Sequence, residues 1–183
     1  MATFTLLSMK MEKIDFYLKN GQVARDKTIA NLAEKYLNKA KNNLVTMRVL
    51  SEINKNNKSR KLLNIPIDYD SNEWVVICGY YAMYSAALAL LAKIGFRSKN
   101  HSATIIILEE YFVKKNQLNK EDLLLIKNAQ FQKEEVEKLS EARHKREIAQ
   151  YSVTKQMTKE IAEKIIEDAY QFVNKAELII NSD

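Results

Sequence analysis

From Trp74 to Phe96 the chain reads WVVICGYYAMYSAALALLAKIGF, with no charged side chain between Trp74 and Ala92. A strand usually ends within about 4–8 residues, so the run predicts one helix over 74–94, apolar on nearly every face. Its ends carry signals of their own. Asp70 as N-cap with Glu73 following has the form of a capping box, and Tyr69 and Trp74 take the two positions of a hydrophobic staple. Gly95 suits the left-handed residue after a helix, and Phe96 can fold back onto the last turn. A helix apolar all round is either the axis of a bundle or a membrane span. Tyr80, Tyr81, Tyr84, Ser85 and the alanines at 82, 86, 87, 89 and 92 favour the axis. Small residues let neighbouring helices approach closely, and each tyrosine hydroxyl needs a partner.

On both sides the pattern turns amphipathic. Ile29, Leu32, Ala33, Tyr36, Leu37, Ala40, Leu44, Met47 and Leu50 recur at three- and four-residue spacing and predict a long helix over Asp26–Glu52. A short helix over Lys10–Leu18 precedes it, with a break at Asn20-Gly21. Asn54–Asn72 reads as a loop, since Pro66 prevents a continuous helix. That loop carries Lys55, Lys58, Arg60 and Lys61 ahead of its first acid, Asp68. It is either a solvated connection or a basic arm that touches phosphate. Beyond Gly95 a helix runs through Ile105, Ile106, Leu108, Tyr111 and Phe112, capped by Asn100 or Ser102. Asn119–Tyr151 predicts another long helix, broken near Gln130. Thr158 then caps a final helix striped by Ile161, Ile165, Ala169, Phe172, Val173, Ala176 and Ile180. The expected fold is all-α, an antiparallel bundle of four to five long helices around 74–94.

Composition agrees with that class. Three glycines and one proline in 183 residues leave few turn signals, and the length suits one domain, 1–183, with a short N-terminal extension (1–25) and the basic loop (54–72). A net charge of +6 is compatible with RNA, DNA or an acidic protein and selects none of them. The single cysteine, Cys78, permits no intramolecular disulfide and reads as a small buried hydrophobe. The N-terminal TFTLLSM run has no basic region ahead of it and no small-residue cleavage pattern, so the expectation is a cytoplasmic protein without a membrane partner.

The densest polar cluster is EARHKREIAQY, Glu141–Tyr151. On a helix, Arg143, Arg146, Glu147 and Gln150 share one face. Two guanidiniums there can hold a phosphate while Glu147 and Gln150 orient it, or Arg143 pairs with Glu147 in a plain surface stripe. Arg97, Lys99 and His101 fall near the free amides of a helix N-terminus, a combination that favours an anion unless His101 simply caps or packs. There is no CxxC, HExxH, glycine-rich phosphate loop or GxSxG. Two histidines and one cysteine, widely separated, make no metal-ligand set, so neither metal nor cofactor is expected.

Several segments, in this order, resemble the HEPN domain superfamily and its small stand-alone prokaryotic members. They are LAEKYLNKA (Leu32–Ala40), Trp74 with YYAMYSAALALLAKIG (Tyr80–Gly95), KNHS (Lys99–Ser102) with EYFV (Glu110–Val113), Ala142-Arg143 with Arg146-Glu147 and Ala149-Gln150-Tyr151, and Ala169–Val173. The resemblance implies a bundle that is often a homodimer. It also implies either a metal-independent RNA-cleaving toxin or a non-catalytic partner of a small nucleotidyltransferase, commonly within a toxin–antitoxin pair. In the nucleases an arginine that binds the scissile phosphate is followed by a polar residue and, with four to six residues intervening in all, by a histidine. Counting from Arg143 that window holds Ile148, Ala149 and Gln150; counting from Arg146 it holds Tyr151, Ser152 and Val153. Neither contains a histidine, and loss of a general base typically costs about 100–10,000-fold in rate. The leading expectation is therefore a HEPN-like binding module for RNA, nucleotide or a partner protein, using Arg143, Arg146, Glu147, Gln150 and Tyr151, with Lys99 and His101 second. The alternatives are a divergent endoribonuclease using Arg143, Arg146, Gln150 and Tyr151, and a purely structural dimerisation protein.

Overall fold

The computed structural model describes residues 13–144 and 151–182, with side chains over 13–138 and 158–182. A helix over residues 13–19 (α1) leads into β1 (Val23–Arg25) and a 3₁₀ helix, Lys27–Leu32. Then come α2 (Ala33–Lys55), α3 (Asn57–Leu62), α4 (Asn72–Lys93) and β2 (Phe96–Ser98). α5 (His101–Leu108) passes into a π-helical turn at Glu109–Val113, followed by α6 (Lys120–His144) and α7 (Tyr151–Asn181). The all-α bundle is as expected, and α4 is its axis, packed between α2, α7 and α6. α4 is long and apolar enough to cross a membrane, but 78% of its most apolar window is buried against the chain's own helices.

Small side chains make that packing possible. A Cβ at Gly79 would lie 3.0 Å from Ile165 Cγ1 and 3.2 Å from Met47 Sδ, so α2 and α7 both close on α4 there. Ala82, Ala86, Ala87 and Ala89 extend the same close approach, all without exposed surface. Polar groups set the directions. Ser71 Oγ donates to Leu50 O (2.7 Å) where α2 ends and α4 begins, so these two run antiparallel. Lys93 Nζ, at the end of α4, donates to Ile179 O and Ile180 O (2.8 and 3.0 Å), so α7 runs parallel to α4. Lys175 of α7 pairs with the buried Asp122 near the start of α6, which makes α6 antiparallel to both α7 and α4. Asp122 also completes a capping box with Asn119. Each side chain takes the other residue's backbone N–H, at 2.7 and 2.8 Å.

The structure corrects several sequence expectations at element ends. The N-cap of α4 is Ser71, not Asp70. Ser71 is fully buried and its hydroxyl is taken by α2, so Asp70 Oδ1 accepts the Asn72 N–H (2.9 Å) from one residue further out. The predicted first helix splits, because Asp26 caps a 3₁₀ turn through the Thr28 N–H (2.7 Å) before α2 begins. The predicted loop contains α3, capped by Asn56 at the Lys58 and Ser59 N–H groups. α6 continues through Gln130 because Ala129 and Val136 keep its buried stripe in phase. Thr158 lies inside α7 and is buried in line with Ala162 and Ile165, so what looked like a cap is a core position. Gly95 is left-handed as expected (φ +77°), with its N–H on Ala92 O. Phe96, however, enters a two-stranded antiparallel ribbon in which Arg25 pairs with Phe96 and Val23 with Ser98. Three-residue strands carry too little alternation to read in advance. The ribbon draws residues before α2 into the domain, with Ile14 and Val23 in the main core.

Gly79→Val should destabilise the fold by about 1–3 kcal/mol, since the added methyls meet Ile165 and Met47 with no space to take them. Urea unfolding would show it as a lower midpoint at unchanged slope.

Candidate functional site

Opposite its alanine-lined wall, α4 carries tyrosines. Tyr80 and Tyr84 are one helical turn apart and their rings lie nearly parallel, 5.9 Å between centroids at 6°. Tyr80 is buried (3% exposed) and Tyr84 half-buried. A phenol inside a core needs a hydrogen-bonding partner, and α5 delivers one. Ser98 Oγ donates to Asn100 O (2.8 Å), and Asn100 Oδ1 accepts the Ala103 N–H (3.0 Å), which starts α5 at His101. The His101 ring then sits over Tyr84, centroids 4.1 Å apart. The Tyr80 hydroxyl lies 3.1 Å from Nδ1 and 3.0 Å from Nε2, so either tautomer meets it. The Tyr84 hydroxyl is taken by Thr104, on the next turn of α5.

α6 closes this cluster with charge. Lys133 Nζ lies 5.6 Å from the Tyr80 ring centroid and 6.0 Å from that of Tyr81, in range for attraction to both ring faces. Glu137 holds the ammonium in place at 2.8 Å. Burial pushes the Tyr80 phenol well above its ordinary value, with Tyr84, Tyr81, Glu134 and Glu137 adding to the rise. Burial likewise raises Tyr84, against the Thr104 hydrogen bond. Burial lowers His101 from its ordinary 6.5; Lys133 lowers it further and Glu134 opposes both. At neutral pH the cluster is thus a neutral imidazole hydrogen-bonded to a neutral phenol, beside an ammonium paired to a carboxylate. Outside His101, between α5 and α6, opens a cleft of about 270 Å³ lined by Ser102, Ile105, Glu109, Lys127 and Gln130 as well. Among the described residues no three of His, Cys, Asp and Glu gather as a metal site.

A HEPN domain model matches residues 33–179, from the first residue of α2 into the last turn of α7. The UPF0332 protein of Archaeoglobus fulgidus is 35% identical over 104 residues, covering 57% of this chain and 72% of that protein. The chain belongs to the HEPN domain family. The match spans the tyrosine–histidine cluster and both long C-terminal helices; α1 and β1 precede it.

Within this HEPN bundle the residues singled out from sequence are dispersed. His101 is at the aromatic cluster. Lys99 is exposed, and its backbone N–H extends the ribbon by donating to Gln22 O (2.9 Å). Arg143 falls on the last turn of α6, ten residues beyond Lys133, or about 15 Å along the helix. Since α6 runs antiparallel to α4, that turn lies at the end of the HEPN bundle where the 54–72 segment sits, away from His101. Tyr151 opens α7. Arg146, Glu147 and Gln150 lie outside the described residues, as do the side chains of Arg143 and Tyr151. Sequence reasoning missed Tyr80, Tyr84, Thr104 and Lys133 as parts of one cluster. Two tyrosines a turn apart on an apolar helix signal a polar need, but their partners sit on α5 and α6, and no local spacing links those elements.

An NMR titration should place the His101 midpoint below 6.5. Lys133→Met should raise it by removing a like charge, and Glu134→Gln should lower it. The sign for stability follows from the depressed value. The unfolded chain protonates first as pH falls below 6.5, so the contribution present above that pH declines until the folded-state pKa is passed. His101→Phe should flatten that acid-side slope.

Proposed function

We propose that this HEPN domain binds RNA through the arginines where α6 gives way to α7, Arg143 and Arg146, and does not cut it. Glu147, Gln150 and Tyr151 orient the bound backbone. The observation that supports the reading is the placement of His101. The windows after both arginines hold no histidine. His101, which could stand in as a base, lies tilted over Tyr84 and within hydrogen-bond distance of Tyr80 at the level of Lys133, a good 15 Å of helix from Arg143, while His144, next to Arg143 in the chain, is about 100° around α6 from it. Phosphate binding needs only the guanidiniums, which offer paired donors whatever the pH. Transfer of the ribose hydroxyl proton needs a base within about 3 Å of it. The same reading has the protein work in the cytoplasm as a homodimer, with a small nucleotidyltransferase as protein partner.

The test uses a 5′-fluorescein-labelled 20-nucleotide RNA in EDTA, followed by anisotropy and by denaturing gel. Bound, intact RNA is expected. Arg143→Ala/Arg146→Ala should weaken binding at least tenfold and lower the slope of log affinity against log salt by about 0.7 per arginine. Unchanged affinity and slope in the double variant would overturn the assignment. RNA cut by the natural protein and spared by the variant would make the protein a nuclease.

A further inference from the structure

The segment between α2 and α4 is a built surface. Two residues past α3 the chain turns at Asn64, in the left-handed region (φ 52°), and Arg60 gathers the returning segment. Its Nη2 donates to Pro66 O, Ile67 O and Tyr69 O at 2.7, 3.1 and 2.7 Å. At the base, Asn54 Oδ1 accepts the Ser71 N–H (3.1 Å) and shares the Ser71 hydroxyl with Leu50 O, and Asn54 Nδ2 donates to Asn72 Oδ1. The shape is therefore held by specific hydrogen bonds. What it displays is apolar: Leu62 is 83% exposed, Leu63 57% and Ile67 95%. Fixing large aliphatic side chains in water does nothing for this fold, and clustered exposure of this kind marks an interaction site.

Between this arm and α7 lies a cleft of about 540 Å³. Ile67 and Tyr69 line its arm side, Ala162 and Ile166 its α7 side, and Lys55 and Lys159 reach it from either edge. Lys58 and Lys61 add two more exposed cations on α3. Of the acids at the cleft, Asp70 turns Oδ2 away from solvent and gives Oδ1 to Asn72, while Glu163 stands 4.0 Å from Lys159. The cleft is thus mostly polar, with one apolar strip between the arm and α7, and the exposed Lys55, Lys58, Lys61 and Lys159 outnumber the nearby acids Asp68 and Glu163. RNA would use the cations, but only Tyr69 offers a ring to stack on, and the displayed Leu62, Leu63 and Ile67 offer neither stacking nor hydrogen bonds. A second copy docked face to face here would set Lys55, Lys58, Lys61 and Lys159 against the same lysines, whatever other surface a homodimer uses.

We propose that this arm and the adjoining face of α7 dock an acidic segment of a partner protein. The segment lays carboxylates against Lys55, Lys58, Lys61 and Lys159 and inserts an apolar side chain between Ile67, Tyr69 and the Ala162–Ile166 wall. The inference rests on residues other than those of the RNA reading and survives its failure.

The probe is a phage-displayed random 12-residue peptide library selected on the full-length protein. Winners are remade with fluorescein, and their affinities are measured by anisotropy. Enriched peptides should be rich in Asp and Glu around a Leu, Phe or Trp. They should bind at least tenfold more weakly to Ile67→Asp and to Lys55→Glu/Lys159→Glu, and lose affinity as salt rises. Ile67, Lys55 and Lys159 are all exposed, so circular dichroism melts of the variants should match the natural protein. No consensus, a basic consensus, or acidic peptides indifferent to both variants would overturn the proposal. So would the loss of self-association in Ile67→Asp, which would make a second copy the occupant. Finally, a tenfold loss of RNA affinity in Lys55→Glu/Lys159→Glu, with the peptides unaffected, would make the arm an RNA surface.

Discussion

Close approach of three helices at Gly79 is the constraint on which the rest of the bundle depends. A helix without charge over most of its length can be surrounded on all sides only if its neighbours come close enough to exclude water. Gly79 and the alanines after it allow that on the α2 and α7 sides, where Met47 and Ile165 enter the space that side chains would otherwise fill. The volume saved there is spent on the other side. Tyr80 and Tyr84 face α5 and α6, and their hydroxyls require polar partners inside the domain. The aromatic cluster at His101 follows from how α4 distributes large and small residues around its circumference.

Direction and register come from a few polar groups. Ser71, Lys93 and Asp122 each reach a helix other than their own. One takes a backbone carbonyl of α2, one the last carbonyls of α7, and one a lysine of α7. Hydrophobic burial is indifferent to sliding a helix by a turn, whereas a buried polar group left without its partner costs about 1–3 kcal/mol. These contacts therefore discriminate among arrangements that the apolar stripes alone would leave nearly equal. The 3₁₀ turn, the left-handed Gly95 and the short ribbon complete the same frame, tying the entry to α2 to the exit from α4 through the Asp26 N–H on Gly95 O.

The functional consequence is a division along the bundle. Midway along α4, imidazole and phenols are desolvated and neutral at pH 7, and they satisfy one another. At the end where α4 starts, the chain exposes its held apolar arm, and the last turn of α6, with Arg143, lies at that same end. His101 lies in the first region, and the charge suited to phosphate or carboxylate lies in the second, where His144 adjoins Arg143 at the end of α6.

Much of the architecture was legible in the sequence because helix formation is read from local periodicity. The stripes of α2 and α7, the uncharged run of α4 and the glycine closing it are patterns spanning a few turns. Boundaries were less legible, because cap residues have other uses. Ser71 and Thr158 are buried by neighbouring helices, and it is that burial, invisible in a local window, that decides whether a hydroxyl caps or packs. The candidate site was legible only in fragments. His101 and the tyrosines could each be seen to need something, but pairing them required α5 to fold back across α4. Legible without the fold were the apolar circumference of α4, the basic loop after α2, and the lack of a histidine at 148–150 or 151–153 behind Arg143 and Arg146. Only the folded chain pairs His101 with Tyr80 and Tyr84, about 15 Å of helix from the Arg143 backbone, and makes the basic loop an ordered arm with its aliphatic side chains outward. The physical reason is range. Periodicity and charge are properties of neighbouring residues, whereas desolvation and hydrogen-bond satisfaction depend on which distant segments are brought together.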